Sequence, residues 1–171
     1  LIPFDIKLGG TAKAVIPDGK TLSLTNGSSF AVTVDTASLD IADGGKIEIH
    51  SEAAFSGKSK VDGKVYVFAT SEEAVKKGLS DAQFKVSDTG AVYSNFKLES
   101  RDAGKNIVVN ESSVAITVPG EDGYTEESIS SGTTTFKYRY ATDNTQVQEP
   151  AVMLTLADGT VRRYESLKDA I

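Results

Sequence analysis

The chain contains a single histidine, His50, and no cysteine. The side chains that most readily change protonation or attack an electrophile near neutral pH are therefore almost absent. His50 closes the alternating run Lys46-Ile47-Glu48-Ile49. With no G-x-S-x-G elbow and no second imidazole beside it, it reads as a strand-end surface side chain rather than a base or a ligand. Gly57-Lys58-Ser59 has the closing residues of a phosphate-binding loop, but Glu52 stands where that loop needs its first glycine, so the stretch reads as a turn. The acidic pairs Glu121-Asp122 and Glu126-Glu127 could hold calcium or act as glycosidase carboxylates. They lack the D-x-D-x-D-G spacing of a calcium loop and read as solvated loop positions. The expectation is a chain that is not an enzyme, with no catalytic residue, no metal site and no cofactor.

Binding has better candidates than catalysis. Phe136, Tyr138 and Tyr140 alternate along one stretch and could form a sugar-stacking platform, with the loop residue Tyr124 as a further aromatic. The intervening Thr135, Lys137 and Arg139 suit solvent, which favours a core face for the aromatics. Two sequons, Asn26-Gly27-Ser28 and Asn110-Glu111-Ser112, are compatible with a secreted source. The most distinctive segment is N-terminal: Phe4, Ile6 and Leu8 fall on one face of an alternating strand, and Gly9-Gly10 follows as a hinge. Such a strand can leave its own subunit and complete the sheet of a neighbour, so these five residues are the candidate assembly interface.

The elements that must position these residues are strands. Period-two alternation recurs at Leu22-Leu24, Phe30-Val34, Ile47-Ile49, Phe84-Val86, Phe96-Leu98, Val114-Val118 and Val152-Leu156. Val65-Tyr66-Val67-Phe68-Ala69 is apolar on both faces, as expected of a strand covered on both sides. Pro17-Asp18-Gly19, Asp43-Gly44-Gly45, Asp62-Gly63, Asp88-Thr89-Gly90 and Asp158-Gly159 read as tight hairpin turns. A short helix is expected from the cap Thr70-Ser71-Glu72-Glu73 to Gly78, and a second over Ser166 to Ile171. Residues 119–132 and 142–150 read as long loops, and no internal repeat is evident. The fold class these elements imply is all-β: an antiparallel β-sandwich, Ig-like or jelly-roll-like, with one or two short peripheral helices. Residues 1–10 form the N-terminal strand segment available for donation, and 11–171 a single sandwich domain.

Composition limits the partners. The chain has 171 residues, a formal net charge of -6 and 39% apolar residues. That charge opposes nucleic acid and anionic membranes, and no apolar run approaches the roughly 18 residues of a membrane-spanning helix. Leu1 in place of an initiator methionine is taken as a sign of processing during export, so an extracellular or cell-surface location is expected. On the alternating segment Phe4 to Leu8, the following Gly9-Gly10 and this export-like composition, the chain resembles, at the level of class, the β-sandwich subunits of bacterial and archaeal extracellular filaments. It departs from chaperone-usher pilins in lacking cysteine and in ending Lys168-Asp169-Ala170-Ile171. The resemblance implies a non-enzymatic structural subunit that polymerises with copies of itself by strand exchange. Two further readings are a phage virion structural protein, as decoration or tail, and a carbohydrate-binding or adhesin module with a glycan partner.

Overall fold

Four alternating segments in the first fifty-seven residues set the pattern: Thr21-Leu22-Ser23-Leu24 returns as Lys46-Ile47-Glu48-Ile49, and Ser29-Phe30-Ala31-Val32 returns as Ala54-Phe55-Ser56-Gly57, each 25 residues later. A computed structural model of the chain describes residues 2–102, 105–112, 125–129, 132–141, 152–155 and 161–164. In it each segment lies directly over its counterpart, and the strands run parallel. The first turn consists of β1 (Asp5–Leu8), β2 (Lys13–Ile16) and β3 (Thr21–Leu24). The second comprises β4 (Ser29–Val32), β5 (Ser38–Ile41) and β6 (Lys46–His50), and the third β7 (Ala54–Val61) and β8 (Lys64–Phe68). A helix, α1 (Glu72–Gly78), then leads to β9 (Ala82–Val86) and β10 (Ala91–Ser94) in the fourth.

Stacking of these turns gives three faces. The first is β1-β4 with the start of β7, the second β2-β5 with the end of β7, then β9 and β11 (Val108–Asn110), and the third β3-β6-β8-β10. The fold is a β-solenoid of about four turns. The third face is closed by β14 (Tyr138–Ala141), which pairs with β10 in the antiparallel sense. Two antiparallel hairpins, β12 (Thr125–Ile129) with β13 (Gly132–Phe136) and β15 (Val152–Thr155) with β16 (Val161–Tyr164), complete the described elements.

Alternation is what the solenoid uses to fill its interior. One set of side chains points inward on every turn, and because the strands stack in register, like sits on like. Leu22, Ile47, Val65 and Val92 form one such ladder, Leu24, Ile49 and Val67 another, and all but Leu22 are buried. Phe30 lies on Phe55 at 5.8 Å between ring centroids, and Phe55 on Phe84 at 5.1 Å. Ser59 interrupts a ladder between Leu39 and Phe84; it is buried, and its hydroxyl has no hydrogen-bond partner among the described residues. On β8 both faces are covered, since Val65 and Val67 belong to the interior while Tyr66 packs in a second, outer cluster.

Glycine makes the corners. Between the second and third faces the chain turns at Asp18-Gly19, Asp43-Gly44-Gly45, Asp62-Gly63 and Asp88-Thr89-Gly90. The backbone ladder runs down this edge through Lys46 N–H to Lys20 O (2.9 Å), Lys64 N–H to Gly45 O (3.0 Å) and Ala91 N–H to Gly63 O (3.0 Å). A Cβ on Gly63 would stand against the carbonyl oxygens of Ala42 and Gly45. The turns are therefore packed backbone on backbone, and this corner admits no side chain there.

Several expectations are corrected. The antiparallel sandwich, whether Ig-like or jelly-roll-like, is overturned by the parallel registers of β1 through β11. The four aspartate-glycine signals from Asp18-Gly19 to Asp88-Thr89-Gly90 are solenoid corners rather than hairpin turns, Asp158-Gly159 lies outside the described residues between the antiparallel β15 and β16, and the chain does repeat. Residues 119–132 include β12, and residues 95–100 form no strand despite the alternation of Phe96 and Leu98. Alternation reports that one face of a strand is buried; it is silent on the direction of the partner. The helix forms as its caps direct: Ser71 Oγ accepts from Ala74 N–H at 3.1 Å, and Val75 and Leu79 are buried where α1 meets β7. The second expected helix, Ser166 to Ile171, and the Val114-Val118 strand lie outside the described residues.

Candidate functional site

The five residues singled out for assembly form the start of the first turn. β1 pairs in parallel with β4, Asp5 opposite Ser29 through Leu8 opposite Val32. Phe4, Ile6 and Leu8 are half-buried against the interior cluster of their own chain. Gly9-Gly10 is a tight corner and not a hinge: Ala12 N–H donates to Gly9 O at 3.1 Å, Gly10 has φ 59°, and the Thr36 hydroxyl donates to Gly10 O. The strand is thus a rung of its own solenoid, which corrects the donated-strand, pilin-like reading.

The aromatic stripe divides between two environments. In β14, Tyr140 lies opposite Val92 and Tyr138 opposite Ser94 on the inward side, so neither offers a platform to a ligand. Phe136 belongs to the outer cluster with Tyr66 and Tyr93, at 5.6 and 5.9 Å between centroids. Arg139, expected in solvent, is buried with its guanidinium carbon 5.9 Å from the Tyr93 ring centroid, and Lys64 approaches the same ring at 5.9 Å. Tyr124 lies outside the described residues.

Beside this cluster the solenoid brings Ser23, Glu48 and His50 together. The Ser23 hydroxyl donates to Glu48 Oε2 at 3.2 Å, and His50 Nε2 lies 3.5 Å from the same oxygen. His50 stacks on Phe68 at 4.7 Å. A nucleophilic serine needs the imidazole between itself and the carboxylate. Here the carboxylate occupies the middle, so the hydroxyl is held as a donor and is not activated. Among the described residues no group of His, Asp and Glu has the arrangement of a metal site.

Among the described residues a cleft of about 230 Å³ lies on the corner between the first and second faces. Its origin is a difference in turn length. The second turn rounds this corner with residues 33–37, and the fourth enters β9 through Ser80 and Asp81, whereas the third turn rounds it inside β7 at Gly57 alone. Gly57 has φ 87°, and a Cβ there would strike the Val32 carbonyl, so this corner has no room for any other residue. The short turn leaves a gap between its longer neighbours. Thr33, Ser80, Gln83 and Asn106 line it with hydroxyls and amides.

Three ion pairs flank the gap. Lys58 Nζ lies 2.8 Å from Asp35 Oδ1, and that hydrogen bond, with the lysine charge, holds the Asp35 carboxyl below the usual carboxylate range. Lys105 lies 2.8 Å from Asp102 and 3.6 Å from Asp81, and these bonds and charges raise its ammonium above the usual lysine value. All of these groups are exposed, so they set the polarity of the cleft more than the stability of the fold. The residues come from four separated stretches of sequence. The clue that could have found them is the 25-residue repeat, which stacks Val32 near Gly57 and Gly57 opposite Ala82. Comparison of the chain with protein-family models, with curated proteins and with solved structures gave no match.

Proposed function

We propose that this chain is a non-enzymatic binding module of the carbohydrate-binding or adhesin kind, displayed outside the cell, whose solenoid is a rigid support for the corner cleft. The observation that carries the reading is the lining of that cleft. Gln83 and Asn106 each present a donor and an acceptor, the Ser80 hydroxyl can do both, and Thr33, whose hydroxyl donates to Leu8 O at 2.8 Å, keeps lone pairs to accept with. Among the residues lining the cleft Lys58 and Lys105 are balanced by Asp35 and Asp81, and Asp102 beside Lys105 adds a third carboxylate, so the site favours a polyhydroxylated ligand over an anion. Recognition here is by hydrogen bonds, without an aromatic platform. The same geometry argues against glycoside hydrolysis by Asp35, since a general acid needs a carboxyl kept protonated and Lys58 does the opposite.

The test is a glycan array probed with the 171-residue chain, followed by calorimetry on the best ligand. Gln83→Ala and Asn106→Ala are each expected to weaken binding by about tenfold while leaving the thermal midpoint unchanged. An array without hits, or hits indifferent to both substitutions, overturns the reading.

A further inference from the structure

A valine interrupts the polar lining of the corner cleft. In sequence the alternation of Phe30 and Val32 continues to Val34, but β4 ends at Val32. Val34 is instead 42% exposed, in a cleft wall that also includes the buried Ala37 and Ala82. The corner holds it in place. Val34 C=O accepts from Ala37 N–H at 3.1 Å, and the Thr36 hydroxyl donates to Gly10 O on the preceding turn. A β-branched side chain is stiff at χ1, so the wall presents a fixed apolar surface of the size a methyl group can cover.

Amides stand in the same cleft. Gln83 lies opposite Lys58 in the β7-β9 ladder, and Asn106 comes just before β11. Among the described residues neither side-chain amide has a hydrogen-bond partner, so each offers the cleft a coplanar donor and acceptor. The carboxylates are engaged. Lys58 holds Asp35 at 2.8 Å, and Lys105 lies 2.8 Å from Asp102 and 3.6 Å from Asp81. A cationic ligand must displace a lysine to reach any of them.

On the footing that the cleft is a glycan site, we infer that the sugar it takes is an N-acetylated hexosamine. The acetamido methyl meets Val34, and the acetamido N–H and C=O pair with the carboxamide of Gln83 or Asn106. Two amides match edge to edge, each donating to the carbonyl of the other. Other sugars leave part of the wall unmatched. A plain hexose sets a hydroxyl against Val34, where it finds no hydrogen bond. A deoxy sugar brings a methyl without the amide, and a free amino sugar brings a charge that meets lysines as well as carboxylates. The cleft, at about 230 Å³, is smaller than the roughly 300–1,000 Å³ of sites for drug-sized ligands. One sugar residue fills it, and its glycosidic neighbours lie outside.

Proton–nitrogen NMR of the 171-residue chain reads the side-chain amides of Gln83 and Asn106 directly and registers weak binding. The probes are the methyl glycosides of N-acetylglucosamine and N-acetylgalactosamine, each beside its free-amine and 2-hydroxy counterparts, and of a 6-deoxyhexose. In at least one series the acetamido glycoside is expected to bind about tenfold or more tightly than its counterparts and to shift a side-chain amide of Gln83 or Asn106. Val34→Ser should shrink that preference by about fourfold, the worth of one buried methyl, and Val34→Ile should keep it. Equal binding of acetamido and hydroxyl glycosides, tighter binding of the amine or the deoxy sugar, or a preference indifferent to Val34→Ser overturns the acetamido assignment and leaves the glycan reading standing. No response to any of these sugars also overturns the assignment, and the glycan array then decides separately whether the cleft binds sugars at all.

Discussion

Glu52 occupies a left-handed conformation, φ 64°, at the corner where the previous turn places Gly27 with φ 82°. Gly27 N–H donates to Glu52 O at 3.3 Å, so the two residues are stacked equivalents on successive turns. A side chain in this region costs roughly 1–2 kcal/mol, partly offset by the extra freedom a glycine loses on folding. Glu52→Gly is therefore expected to stabilise the chain by about 0.5–1 kcal/mol, read as a higher urea midpoint at unchanged slope. A lower midpoint would mean that the Glu52 side chain makes a compensating contact. At this scale the sequence was informative where residue type alone decides the environment, as in the apolar ladders. It misled at Arg139, a polar residue that the fold buries. It was silent about Asp35, Gln83 and Asn106, and read Lys58 only as part of a turn, because their common location depends on the stacking of turns that no single residue announces.

Elements whose causes are local were legible, and those whose partners are distant were not. Helix α1 begins and ends as Ser71 and the lysines before Gly78 direct, because capping is settled within a turn of helix. Some strand positions were legible for the same reason, as at β3, β6, β8 and β9, but β2, β5 and β7 were not read and Phe96-Leu98 forms no strand. The pairing of the strands was not legible, since Leu22 meets Ile47 and Val65 meets Val92 across separations that a window of a few residues does not contain. The aspartate-glycine corners were recognised as turns, yet their glycines serve close backbone packing, as at Gly63, and not a reversal of strand direction. The exception to parallel stacking is β14, and its anchor is Tyr140, whose hydroxyl accepts from Leu98 N–H at 3.1 Å. Burial disfavours the phenolate and raises the Tyr140 hydroxyl above its ordinary value. Below a pH of about 10 both folded and unfolded chains hold this proton, and above it the unfolded chain releases it first. Stability from this group is thus complete below that pH and is lost as pH rises through the folded value. Tyr140→Phe should cost about 1–2 kcal/mol at neutral pH, because the buried Leu98 N–H loses its acceptor, and should flatten the alkaline decline. Urea midpoints measured between neutral pH and about 11 check both effects; an unchanged alkaline slope would place the decline in other groups.

Across the whole molecule the solenoid is close to one-dimensional, each turn touching only the turns beside it. Its stability is then a sum over interfaces between turns, and the worth of a residue depends on how many interfaces it serves. Phe55 serves two, stacked on Phe30 above and Phe84 below, and is 1% exposed. Ile6, earlier in the same inward ladder, serves one and is half-buried. Phe55→Ala is expected to cost about 3–5 kcal/mol, and Ile6→Ala less than about half of that. The end turn should also open on its own. In dilute solution, amides of β2 and β3 should exchange through local openings cheaper than global unfolding, while those of β6 and β8, paired on both sides, should report the global value. In Phe55→Ala the protection of β6 and β8 should fall by the full cost of the substitution, with β3 nearly unchanged because its exchange never required the centre to unfold. Equal protection along the rod, or equal costs at Phe55 and Ile6, would show that the four turns unfold as one unit and that the solenoid is cooperative beyond its nearest-neighbour contacts.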